Sequence, residues 1–373
     1  MQRQTTSDDK LVLFGCGDVG PILEPVSSFS ELVRPVLATG DIRFAQCERI
    51  YSERGALQVH AGHGHSRLKP HMASVFSDCG FDVVSIAGNH AMDWGSDALL
   101  DTAALLNSMG IKTAGAGRNI EEARAPAIIE RKGIRVAFLA YCSVLKDGYA
   151  AGPNKPGVAP LRAHTYYEPF EYQAGVPPRV VTVPYEEDFK TMVDDIHKAK
   201  QAADVVIVSH HWGIHFIPRM IADYQPVVAK ATFEAGASLI LGHHAHLPKA
   251  VGVYGGKVCF FSLSNFLMSA PAHSPEKAAA FCADYGVTLD PEYPNLPYGT
   301  DGKRSLIAKA VIGRGGVEKV SYLPVLIDKK LRPEVLRKGD PRFEDAVSYM
   351  QSVSEGFNPG FSVNGDEVDI QQA

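Results

Sequence analysis

The chain has 373 residues, a formal net charge of −5, and 45% hydrophobic against 21% charged residues, the balance of a soluble globular protein long enough for one large domain or two ordinary ones. No basic run stands out, which argues against a dedicated nucleic-acid binder, and no apolar run is long enough to span a membrane. Six scattered cysteines form no CxxC pair and read as thiols of a reducing compartment. The first ten residues show no apolar leader, so a cytoplasmic location is expected.

In chain order, Leu11 to Phe14 reads as a buried strand running into Gly17-Asp18-Val19-Gly20. The glycines allow a sharp turn and leave the carboxylate free for a cation, although Gly-Asp also makes ordinary turns. Glu48 follows a short strand with Ile42, Phe44 and Cys47 buried. It is either a carboxylate bridging two metals or a surface residue paired with Arg43 or Arg49. His60, His63 and His65 lie in a Gly-rich stretch with no apolar run before it, and read as a solvent loop.

The strand Val83 to Ile86 ends in Ala-Gly-Asn89-His90, an amide oxygen beside an imidazole. Asn89 can ligate a metal and His90 can act as a general acid or hold substrate, with Asp93 three residues on to orient it. A helix from Ser96 to Met109, capped by Ser96, comes next, and Arg135 to Tyr141 is another strand. Residues 145–184 lack periodicity and form a first surface excursion.

Alternation resumes with a helix at Glu187 to Gln201 and the strand Val205 to Val208, which ends in His210-His211-Trp212. Successive strand residues point to opposite faces, so one of the two is expected at the site. His211 is favoured, with His210 packing behind it and His215 facing substrate. A helix at Gln225 to Ala235 precedes Leu239 to Leu241 and Gly242-His243-His244-Ala245-His246. His244 and His246 are assigned as ligands and His243 as a structural neighbour. A Gly-Gly hairpin spans Val251 to Ser262, and residues 269–302 form a second, Pro-rich excursion. Strands at Ser305 to Ile312 and Val317 to Leu323 lead into a tail with a helix at Pro341 to Ser354 and a frayed polar end. Strands alternating with helices, then hairpins, predict a layered α/β sandwich. Strand ends carrying Asp, Asn and His at one sheet edge predict a divalent metal site, of two ions.

The segments Gly80 to Gly95, Ser209 to Gly213, Gly236 to His246 and Phe261 to Phe266 resemble the CapA family, named for poly-γ-glutamate capsule synthesis, within the calcineurin-like metallophosphatase superfamily. The resemblance implies a four-layer α/β/β/α sandwich over residues 10–325, with a C-terminal extension at 326–373. It implies two divalent ions, of manganese, zinc or iron. Asp18, Glu48 and His246 would serve one ion, and Glu48, Asn89, His211 and His244 the other, with Glu48 bridging. A metal-bound hydroxide would attack substrate while His90 assists the leaving group. The chain departs from the superfamily at Gly20, where a histidine is usual, at Ala91, which follows Asn-His in place of an acid, and at Glu48 itself, which replaces an aspartate. Gln46 stands where CapA proteins usually have Asn. These departures point to one ion held more weakly than the other. The expected function is a metal-dependent hydrolase acting on a γ-glutamyl-type amide in a small or peptide-like anionic substrate. The alternatives are a phosphoesterase on a small phosphorylated molecule and a non-catalytic accessory protein for polyglutamate assembly.

Overall fold

The computed structural model describes residues 9–61, 66–357 and 359–371. In chain order the elements that build the site are β1 (Leu11–Gly20), β2 (Ile42–Cys47), β3 (Val83–Ser85), α1 (Gly95–Ser108), β4 (Ile134–Cys142), α2 (Glu186–Ala202) and β5 (Val205–His211). They continue with α3 (Tyr224–Glu234), β6 (Leu239–His243), β7 (Asn265–Met268), α4 (Pro275–Tyr285), β8 (Arg304–Gly313), β9 (Gly316–Ile327) and α5 (Pro341–Val353).

Two sheets face one another. The first has ten strands and runs β9, β8, β1, β2, β3 through its centre, with β7 also parallel to β1. The second has six strands, with β4, β5 and β6 parallel at its middle. Parallel strands are covered on both faces, which is why Val205 to Val208 is apolar throughout rather than alternating. Side-chain alternation then divides the strand: Val205 and Ile207 join the core shared with the first sheet, and Val206 and Val208 join the core under α2 and α3. Met192 and Ile196 of α2 and Val228 and Phe233 of α3 fill that outer layer, each contributing about 1.5–3 kcal/mol by burial. Between the sheets, Phe44 of β2 stacks on Phe138 of β4 with ring centroids 5.5 Å apart. The helix α1 lies against the first sheet and completes the α/β/β/α order.

Several expectations are revised. The first strand does not stop at Phe14 but continues to Gly20, with register irregularities on both sides of Asp18. The helix after Asp93 starts at Gly95 behind Trp94, so Ser96 is not its cap. Part of the first excursion is an exposed hairpin, Ala163–Glu168 paired with Arg179–Pro184. The second excursion contains α4, started by Pro275 and by Ser274, whose hydroxyl accepts from the Lys277 N–H. The tail expected to fray forms a hairpin, Gly360–Asn364 with Glu367–Gln371, that joins β9 through Ser321 and Asp369. Its polar residues pair because two of the five in the last strand, Val368 and Ile370, are buried. All six cysteines are unpaired, five buried and Cys282 half-buried. No helix among the described residues is long and apolar enough to cross a membrane. His63 and His65 lie outside the described residues, as do residues 1–8.

Candidate metal centre

The ends of β1, β2, β3, β5 and β6 meet at one edge, and each leads into a site side chain there. Asp18 reaches it through a bulge in β1. Its N–H donates to the Ser264 carbonyl (2.9 Å), an approach open only because Gly17 precedes it: a Cβ there would stand 2.0 Å from the same oxygen. Glu48 leaves β2 one residue past its end, with its N–H held by the Val19 carbonyl (2.9 Å). Asn89 and His90 sit in a series of turns after β3.

On β5, His211 faces the site and His210 faces the helices, stacked on Trp212 (4.5 Å) beside Thr232. His243, the last residue of β6, is turned between the sheets, where its Nε2–H donates to the Cys16 carbonyl (3.2 Å) and its Nδ1 accepts from Ser209 (3.3 Å). His244 and His246 follow in left-handed backbone conformations, φ +93° and +58°, a strain that appears where function fixes side-chain direction. His215 lies against His244, ring centroids 3.7 Å apart.

One donor atom each from Asp18, Glu48 and His211 lies within 4.8 Å of the other two. His211 Nε2 is 2.9 Å from Asn89 Oδ1 and 3.8 Å from Glu48 Oε2. His246 Nε2 is 3.8 Å from Glu48 Oε1 and its Nδ1 is 3.8 Å from Asp18 Oδ2. The His244 N–H donates to Asp18 Oδ2 (3.3 Å), and its ring sits 4.9 Å from that of His211. Asp18, Glu48, Asn89, His211, His244 and His246 are therefore brought together.

Their electrostatics fit a cation. Asp18 Oδ1, Glu48 Oε2, His211 Nδ1 and His244 Nδ1 are buried without a hydrogen-bond partner, an expensive arrangement unless something else engages them. Burial pushes Asp18 up to about 8, against its bond from the His244 N–H. Burial, then the charge of Asp18, raises Glu48 well above the usual carboxylate range. Burial, reinforced by their neighbours, holds His211, His244 and His246 far below the usual histidine value, in the neutral form that ligates metals. Two carboxylates and three neutral imidazoles match the donors a divalent ion requires.

His90 stands at the rim with 18% of its side chain exposed and Nε2 4.0 Å from Glu48 Oε1. Its Nδ1–H donates to Asp93 Oδ2 (2.6 Å). Burial lowers the His90 pKa, opposed by its bond to Asp93. The fully buried Asp93 is held below its usual range by His90 and Lys146, against burial. Lys146 Nζ and the Tyr149 hydroxyl both donate to Asp93 Oδ1, at 2.8 Å each. Neither residue was expected here, because they come from a segment without periodicity. Asn265 was missed as well. Its amide donates to the carbonyls of His246 and Gly302 (2.9 Å each), so its oxygen must accept from His246 Nδ1–H (2.8 Å), which leaves Nε2 free to ligate. An apolar run, Val258 to Phe261, comes shortly before it, the same signal that marked the other clusters.

Glu48, Asn89, His90 and His246 line a cavity of about 350 Å³ whose wall also includes Arg49, Lys146, Phe216, Lys277, Phe281 and Tyr298. Lys277 and Phe281 belong to α4, so the second excursion covers the site, while the first contributes Lys146. Tyr298 stacks on His246 at 4.2 Å.

Fold and site together define an α/β/β/α sandwich with a carboxylate–histidine centre at its sheet edge. The profile of the family "Bacterial capsule synthesis protein PGA_cap" matches residues 23–270, and the chain belongs to that family. It is 28% identical over 273 residues to the PGA biosynthesis protein CapA of Bacillus subtilis, covering 71% of this chain and 65% of that one. It is 28% identical to the capsule biosynthesis protein CapA of Bacillus anthracis, over 54% of this chain and 44% of the relative. A Mycobacterium tuberculosis relative, 29% identical over 49% of this chain and 44% of its own, bears the name "Probable polyglutamine synthesis accessory protein". The matched region thus spans less than two thirds of these relatives' lengths. Among solved structures, the calcineurin-like phosphoesterase YfkN of Bacillus subtilis shares 11% identity at TM-score 0.42, covering 93% of this chain and 97% of its own.

Proposed function

We propose that this chain is a metal-dependent hydrolase that cleaves a γ-glutamyl-type amide in an anionic, peptide-like substrate. The observation that supports the reading most is the pairing of the buried donor cluster with the His90–Asp93 couple at the mouth of a cavity that also exposes Lys146 and Lys277. A divalent ion in the cluster, held by Asp18, Glu48, Asn89, His211, His244 and His246, would supply Lewis acidity toward the scissile carbonyl.

The other roles fall to the chain's own residues. Asp93 fixes His90 with its proton on Nδ1 and its Nε2 lone pair toward the cavity. That nitrogen takes the proton released as water adds to the carbonyl and returns it to the departing amine. Lys146 and Lys277 attract the carboxylates of the chain being cut, and the aromatic wall of Phe216 and Tyr298 limits water around it. The six unpaired cysteines support a cytoplasmic site of action.

The test is turnover of γ-glutamyl peptides and of aryl phosphates by protein loaded with manganese, zinc or iron. Cleavage of the peptide, lowered about 10²–10⁴-fold in His90→Ala, is expected. Turnover of the phosphate alone would replace the amide with a phosphoester. No turnover with any metal would favour the second reading, an accessory role in polyglutamate assembly, which the name of the mycobacterial relative supports.

A further inference from the structure

Gly20 lies two residues beyond Asp18 on the same strand, beside the centre, and offers no donor. The space its side chain would fill is taken. A Cβ on Gly20 would stand 2.8 Å from Arg49 Cγ and 3.1 Å from Cδ and Nε. Arg49 is 3% exposed and held in this position, with Nε donating to the Gly20 carbonyl (2.8 Å) and Nη2 to the Ser269 carbonyl (3.0 Å). Its guanidinium, a permanent cation, also lines the cavity next to Glu48.

We infer that the centre holds one divalent ion, and that the guanidinium of Arg49 occupies the place and supplies the positive charge of a second. This rests on the metal reading above. The donor atoms of Asp18, Glu48 and His211 all fall within 4.8 Å of one another, a spread that one ion can draw together. Two-ion sites set their ions about 3.5–4 Å apart and need a separate donor set for each. With Asp18, Glu48 and His211 drawn to one ion, a second would need further donors beside Gly20, and that position presents a cation rather than a ligand.

The experiment counts metal. Chelator-stripped protein is titrated with Mn²⁺ and with Zn²⁺ by calorimetry, and metal per chain is measured by mass spectrometry after dialysis. One ion per chain is expected. Two ions of comparable affinity would overturn the inference and leave the hydrolase reading intact, whereas no bound ion would overturn both. The double variant Gly20→His, Arg49→Ala gives the space a ligand and removes the cation, and should bind two. If it is folded by circular dichroism yet binds one, the exchange of Arg49 for an ion is wrong. Arg49→Gln guards against misfolding of the double variant. Loss of the adjacent charge should tighten the single ion about tenfold, and unchanged or weaker binding would refute the inference.

Discussion

Asn265→Ala tests whether the ligand nitrogen of His246 is set by its neighbour. Asn265 is fully buried and makes three hydrogen bonds: one accepted from His246 Nδ1 and two donated, to the carbonyls of His246 and Gly302. Truncation orphans all three partners. At about 1–3 kcal/mol for each buried unsatisfied group, and with some relaxation, the loss is roughly 3–5 kcal/mol. At roughly 2 cal/mol/K of unfolding entropy per residue over 373 residues, this lowers Tm by about 4–6 °C. Without its partner the His246 ring can rotate or change tautomer, so metal affinity should fall about 10–100-fold. Asn265→Asp separates the two effects. It keeps an acceptor for His246 Nδ1–H but loses both donated bonds, so metal affinity should survive while Tm still falls. Scanning calorimetry of the metal-free protein and calorimetric titration with Mn²⁺ measure the pair. Wild-type metal affinity in Asn265→Ala, alongside a lowered Tm, would show that Asn265 only braces the fold.

Lys146→Met removes a cation bonded to the buried Asp93 and lying near His90. The pKa values of both should rise, which NMR titration of the imidazole would detect for His90. Metal-free protein should lose stability as pH rises from about 6.5 to about 8, above the range in which the buried histidines, lowered from 6.5, oppose the trend. The folded Asp18 is raised to about 8 from an unfolded value near 3.8, so between those values the folded state holds a proton the unfolded state has lost, and that advantage shrinks as pH rises to about 8. Thermal melts from pH 6.5 to pH 8 should show the slope, and Asp18→Asn should flatten it. Lys249→Met cuts the buried ammonium that bonds the Ile217 and Met220 carbonyls, anchors of the loop bearing His215 and Phe216. It should cost about 2–4 kcal/mol in urea unfolding and raise KM more than it lowers kcat, whereas an equal fall in kcat would place Lys249 in the chemistry.

Much of the centre was legible because a buried parallel strand writes a continuous apolar run into the sequence, and a polar residue at its end stands out. That rule picks out Asp18, Asn89, His211, His244 and His246, which the structure brings together, and strand alternation separates His211 from His210. Local pattern could not show that Glu48 points inward rather than pairing with Arg43. Arg43 in fact bonds Asp82, 39 residues away in sequence. Nor could it place Lys146, Tyr149 and Asn265 around His90 and His246, because contacts across 19 to 56 residues leave no periodic trace.

The chain order of strands and their polar ends determined the layers and most of the donor set, since side-chain period and burial are local properties. Only the packed structure decided that Arg49 fills the space beside Gly20, because that contact joins residues 29 apart across the pairing of β1 with β2. The sequence shows a missing ligand at Gly20, and the fold shows the Arg49 side chain filling the space beside it.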